Sequence, residues 1–160
     1  MKLWGARQTL QSTLYGSPLH SQTDVADGPD LGPVAFFDGV CNLCNASVNF
    51  LLDRDRRARL RFAPLQGSTF AGLKRTHPEL ESVDSFVLWE GDRVYVRSSA
   101  ALRILMALGG PWRLSGALLA IPRPLRDFLY DFVARRRYRW FGKTEVCRMP
   151  TPALRARFLD

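Results

Sequence analysis

Two periods of apolar and polar residues succeed one another along this chain, and the switches between them predict a small α/β domain. Val34-Ala35-Phe36-Phe37 is a short apolar run of β-formers ending at the turn dipeptide Asp38-Gly39. Behind it Cys44, Val48, Leu51 and Leu52 recur at i, i+4, i+7 and i+8, one face of a helix that ends in the charged run Asp53-Arg54-Asp55-Arg56-Arg57. Leu60-Arg61-Phe62-Ala63 alternates as a second strand closed by Pro64, and strand, helix, strand predicts a right-handed parallel unit. A polar, weakly helical stretch with Phe70, Leu73, His77 and Leu80 follows. Residues 85–89 and 93–97 flank Gly91-Asp92 and read as an antiparallel hairpin. Ser98 or Ser99 is placed to cap a helix striped by Ala101, Ile104, Leu105 and Leu108, which Gly109-Gly110-Pro111 stops.

Two more helical stretches close the chain. Residues 112–120 form a short amphipathic one. Leu125, Phe128, Leu129, Phe132 and Val133 then give the clearest i, i+3, i+4, i+7, i+8 stripe of all, expected to pack on the core. The order β-α-β-α-β-β-α with a helical C-terminal extension matches a thioredoxin-like core, with the core expected over 34–110 and the basic extension over 111–160. Residues 1–33 mix Gly, Ser, Thr, Gln and Pro and read as a flexible leader with weak transit-peptide character.

Chemistry enters at the junction of the first strand and helix. Asp38-x-x-Cys41-x-x-Cys44 places Cys41 at the helix's first turn and Cys44 one turn later on its inner face. A thiol reacts as its thiolate, and unpaired N–H groups at a helix start favour that anion. Lowering a thiol from about 8.5 to about 7 takes roughly 2 kcal/mol, of which an exposed helix dipole gives only about 0.3–1, so direct N–H contacts must supply the rest. Cys41, expected at the solvent end, is the candidate nucleophile and Cys44 the resolving thiol. The bland alternatives are a pair of small core residues or half a zinc site; zinc needs two further ligands, and Cys147, His77 and His20 show no paired spacing. No metal or organic cofactor is called for. Asp38 either caps the turn or relays the proton of Cys44. Cys147 is read as structural, with a third redox thiol as the alternative, and His20 and His77 as surface residues. A haloacid-dehalogenase-like Asp-x-Asp-Gly nucleophile is disfavoured because Phe36 stands at its first position.

The same residues resemble the DCC family of predicted thiol-disulfide oxidoreductases, named for an Asp-Cys-Cys pattern. Phe62-Ala63-Pro64-Leu65-Gln66, Arg97-Ser98-Ser99-Ala100-Ala101-Leu102, and Pro122-Arg123-Pro124-Leu125-Arg126-Asp127 with Tyr130 resemble it too. The resemblance implies a thioredoxin-like fold, dithiol redox chemistry, a disulfide substrate and a separate thiol reductant. One departure stands out. Such enzymes generally carry a cis-proline just before the third strand, facing the dithiol, where this chain reads Ser82-Val83-Asp84-Ser85.

Charge changes the picture only at the C-terminal end. The chain carries 23 basic and 15 acidic residues, net +8, and residues 111–160 hold 11 of the basic and 4 of the acidic ones, a net of +7. The run from Arg135 to Lys143, interleaved with Tyr138, Trp140 and Phe141, reads first as a solvated helix end. Its alternatives are a docking site for an acidic partner or a membrane surface, and nucleic acid, which no accompanying binding motif supports. A non-catalytic binding module using this basic face is the class-distinct alternative to an enzyme. No apolar run reaches the roughly 18 residues of a spanning helix, and three cysteines make no disulfide framework, so a reducing, cytoplasmic compartment is expected.

Overall fold

The computed structural model describes residues 32–143 and 155–160; the leader, His20 and Cys147 lie outside them. Strand β1 (Val34–Phe37) is central because all four of its residues are buried, as its unbroken apolar sequence requires. It pairs in parallel with β2 (Arg61–Pro64), which helix α1 (Asn42–Arg54) connects to it, and antiparallel with β3 (Val87–Glu90). A hairpin adds β4 (Arg93–Val96), giving the sheet order β2-β1-β3-β4. Helix α2 (Ser68–Thr76) follows β2, and α3 (Arg97–Ala107) follows β4. This mixed sheet with its helices is the thioredoxin-like arrangement.

Successive β1 side chains point to opposite faces, so the sheet builds two cores. Ala35 and Phe37 join Phe62 and Leu88 against Val48 and Leu51 of α1 and Ala100 and Ile104 of α3. Val34 and Phe36 join Ala63 and Val87 against Phe70 and Leu73 of α2, where the Phe36 and Phe70 rings lie 5.1 Å apart. The outer edge of β2 is closed by the end of the chain: Phe62 donates to the Arg157 carbonyl at 2.8 Å and accepts from the Leu159 N–H at 3.0 Å.

Beyond the core the expectations need three corrections. The stretch after α3 is a 3-10 segment, Gly110–Ala120, rather than an α-helix. Ser98 does not cap α3; Val96 is its N-cap, and the buried Ser98 hydroxyl bonds instead to the Asp127 carboxylate. Most consequential, helix α4 (Arg123–Phe141) turns most of its apolar stripe outward: Leu125 and Phe128 are 53% and 60% exposed and Phe132 is exposed with them, while Leu129 and Val133 are exposed along a cavity shared with α1 and α3. The inward face carries Tyr130, Arg137 and Tyr138, whose polar ends find partners in the core. The Tyr130 hydroxyl accepts the Phe86 N–H at 3.0 Å, and Arg137 reaches Asp38 at 3.0 Å. Turning α4 the other way would bury the stripe but leave those core groups unsatisfied. Among the described residues no helix is long and apolar enough to cross a membrane.

Candidate active site

The turn between β1 and α1 sets the site. Asp38 follows directly on the buried end of β1, and its Oδ1 accepts the Val40 N–H at 3.1 Å. Asn45 Nδ2 holds the Gly39 carbonyl at 3.0 Å from one side, and Gln66 Nε2 reaches Asp38 Oδ1 at 3.2 Å from the end of β2. The chain therefore enters α1 with Cys41 as its N-cap residue, and the Cys44 N–H donates to Cys41 Sγ at 3.4 Å. Both cysteines are free thiols. A sulfur thus stands where a serine or aspartate oxygen usually caps a helix.

Accessibility differs from the sequence expectation. Cys41 is 0% exposed rather than at the solvent end, while Cys44 retains 6%. Cys41 belongs to the buried cluster of Ala35, Phe37 and Leu88, and the end of α4 passes beside it. Lys143 pairs with the Cys41 backbone in an isolated antiparallel bridge, and Asn42 Nδ2 donates to the Phe141 carbonyl at 2.9 Å. Gly142 makes the turn between them at φ +75°, a conformation that side chains other than glycine adopt only with strain. The pair is nonetheless not walled in on every side, because Cys44 lines a cavity of about 520 Å³ between α1, α3, the 3-10 segment and α4. Its walls include Leu43, Phe86, Leu102 and Val133, with Tyr130 and Arg137 supplying polar groups.

Arg137 and Tyr138, expected in a solvated helix end, complete the site. Asp38 Oδ2 accepts from Arg137 Nη2 at 3.0 Å and from the Tyr138 hydroxyl, and Arg137 Nη2 also meets that hydroxyl at 2.8 Å. Asp38 and Arg137 are both buried. Burial alone would raise the Asp38 carboxyl, but the hydrogen bonds from Tyr138, Val40 and Gln66 and the charge of Arg137 outweigh it and hold it below its ordinary value. The Cys44 thiol is pushed up to about 12, first by burial, then by its hydrogen bond to and interaction with Cys41; Arg137 opposes the rise and Asp38 adds to it. Neither sulfur is among the hydrogen-bond partners of Asp38. At the position before β3, where the cis-proline is missing, Phe86 has its N–H taken by Tyr130, whose own hydroxyl burial keeps protonated up to about 12.

Residues 35–143 match the model of the DCC1-like thiol-disulfide oxidoreductases. The chain belongs to that family. The uncharacterised protein YuxK of Bacillus subtilis (strain 168) is 44% identical over 127 residues, 79% of this chain and 93% of its own length. A chloroplastic DCC family protein of Arabidopsis thaliana is 41% identical over 124 residues, 75% of this chain and 71% of its own length. No solved structure matches the chain. The matched span of the DCC1-like family runs from β1 through the Lys143 bridge, so it includes both thiols, Asp38, Arg137 and the segment that passes beside Cys41. Sequence reasoning had a signal for part of what it missed: Gln66 and Tyr130 lie in the stretches that carry the family resemblance. Arg137 lies in none of them. Among the described residues no three His, Cys, Asp or Glu side chains gather as a metal site.

Proposed function

We propose that this DCC1-like protein reduces disulfides through the Cys41/Cys44 pair, with Cys41 as nucleophile and Cys44 as resolving thiol. The observation that carries the reading is the N-cap geometry, in which Cys41 Sγ receives the Cys44 N–H and so has a donor to stabilise its anion. Cys41 attacks one sulfur of the substrate disulfide, forming a mixed disulfide and releasing one substrate thiol. Cys44 then gives up its proton and attacks Cys41 Sγ; the second substrate thiol leaves, and the protein is left oxidised by two electrons as a Cys41–Cys44 disulfide. An external thiol donor restores the dithiol.

Arg137 lowers the cost of ionising Cys44 in that second step, and its buried Nε has no partner among the described residues. Asp38 acts as a positioning residue that holds Arg137 and Tyr138, a better fit to its four occupied hydrogen-bond contacts than a proton relay. Attack at Cys41 requires the Phe141–Lys143 strap to part from Asn42. Cysteine usage favours a reducing compartment.

The test is oxidation of the reduced protein by glutathione disulfide followed by intact mass. The wild type should lose the mass of two hydrogens with no adduct, and Cys44→Ser should accumulate one glutathione on Cys41. Absence of the intramolecular disulfide, or equal trapping on Cys44 in Cys41→Ser, would reject the assignment. A second reading, a non-catalytic binding module, draws on the complete burial of Cys41; it expects no reaction of either thiol in the folded protein.

A further inference from the structure

Eleven large apolar side chains are exposed among the described residues, and ten of them lie between Leu114 and Phe141. They come from two neighbouring elements, the 3-10 segment and α4; Leu118, Ile121, Leu129 and Val133 line the cavity beside Cys44, and Leu114, Leu125, Phe128, Phe132, Trp140 and Phe141 do not. Scattered exposed leucines need no explanation, but a contiguous apolar face of this kind marks an interaction site.

Its charges have one sign. The two acids on α4 are already engaged, Asp127 with Arg123 and the Ser98 hydroxyl, and Asp131 with Arg97. Arg113, Arg135, Arg136, Arg139 and Lys143 lie within salt-bridge distance of no carboxylate among the described residues. Arg136 lies over the Phe132 ring at 3.8 Å, so cation and aromatic occupy one patch. Pressing two copies of this face together would oppose arginine to arginine. An acidic, water-facing partner would match the cations and leave the leucines and phenylalanines unmatched.

We propose that this face seats the protein on an anionic lipid bilayer. The first turns of α4 lie in the interface with Leu125, Phe128 and Phe132 toward the hydrocarbon, and Arg135, Arg136 and Arg139 lie among the headgroups with Trp140 at their level. Leucine and phenylalanine over the first turns, followed on the same face by Arg136, Arg139 and Trp140, give the exposed side of α4 an apolar end and a cationic, aromatic end, and long arginine side chains can lie along apolar surface while their heads stay in water. The proposal is independent of whether the dithiol exchanges disulfides.

The full chain is floated with vesicles of phosphatidylcholine alone or mixed with phosphatidylglycerol. Binding should be at least tenfold stronger to the anionic vesicles, and raised salt should weaken it. Arg136→Glu and Arg139→Glu should each lower affinity by roughly fivefold or more, given the contribution of one cation near an anionic surface. Phe128→Ser should lower affinity for anionic vesicles at every salt concentration. All three sites are on the surface, and circular dichroism checks that each variant folds. The proposal is overturned if anionic vesicles are not bound at low salt. It is equally overturned if binding survives Phe128→Ser with Phe132→Ser unchanged, or if the face proves to be a homodimer contact, seen by sedimentation as self-association that Phe128→Ser removes without any vesicle binding.

Discussion

Two buried ion pairs bracket helix α1, and they do different things with the same chemistry. At its N-terminal end Asp38 meets Arg137 of α4; at its C-terminal end the cap residue Asp55 meets Arg157 from the end of the chain. Each joins residues about a hundred positions apart in sequence, 99 in one case and 102 in the other, so each fastens the C-terminal part of the chain to the first helix. The Asp55 pair is closed on itself. Asp55 Oδ2 also takes the Leu60 N–H at 2.9 Å, and Arg157 spends its remaining donors on the Leu60 and Asp55 carbonyls. The Asp38 pair is open, with a buried Arg137 Nε to spare and a thiol close enough for that cation to act on it. A buried charge with every nitrogen bonded reads as a clasp, whereas one with a nitrogen left over beside a reactive group reads as part of a site.

Breaking the clasp should give the largest effect on stability. Arg157→Met strands the Asp55 carboxylate and should cost about 3–5 kcal/mol in urea unfolding, while the rate of oxidation by glutathione disulfide stays within about twofold. Arg137→Met should separate the two pairs functionally: the glutathione adduct on Cys41 should resolve about tenfold more slowly in a quenched-flow chase, since one unit of pKa on the resolving thiol corresponds to about 1.4 kcal/mol. An unchanged resolution rate would reduce Arg137 to a second clasp.

Asp38→Asn should slow turnover several-fold without abolishing disulfide formation, and it should change the response to acid. Asp38 has a lowered carboxyl in the folded state, so its stabilising contribution is fully present above the unfolded value of about 3.9 and is lost as pH falls through the folded one. The variant should show a flatter acid limb in stability against pH. Cys44 works with the opposite sign: its thiol is raised to about 12, so its contribution holds below the unfolded value of about 8.5 and is lost as pH rises toward 12. Cys44→Ser should therefore soften the alkaline limb. Tyr138→Phe, which removes one hydroxyl from the Asp38 cluster, should have the smallest effect, about 1 kcal/mol by thermal unfolding.

What could be read in the sequence follows the range of the interaction. Strand β1, helix α1, the hairpin and α3 are written in local periodicity, and the strand-turn-CxxC-helix junction announces the thiols and Asp38. Arg137 could not be found that way, because its burial depends on a carboxylate 99 residues earlier. Periodicity also identified which residues of α4 share a face but not which face is turned inward. Tyr130 and Arg137 decided that, by offering hydrogen bonds to Phe86 and Asp38 that the apolar stripe could not make. The strap beside Cys41 was hidden for a related reason: it is held by a backbone bridge, the Asn42 side chain and Lys143 over the Tyr138 ring at 4.3 Å, none of which leaves a pattern.

That strap turns Cys41 into a timer. Because, among the described residues, Gly142 and Lys143 are held only by the last turn of α4, the bridge to Cys41 and the Tyr138 ring, release is a local event far cheaper than global unfolding, and a thiol-specific reagent in excess would react at a rate that levels off at the frequency with which the strap lets go. Substitution of Asn42 by alanine, which deletes the side-chain contact, would raise that plateau and leave the melting temperature nearly where it was.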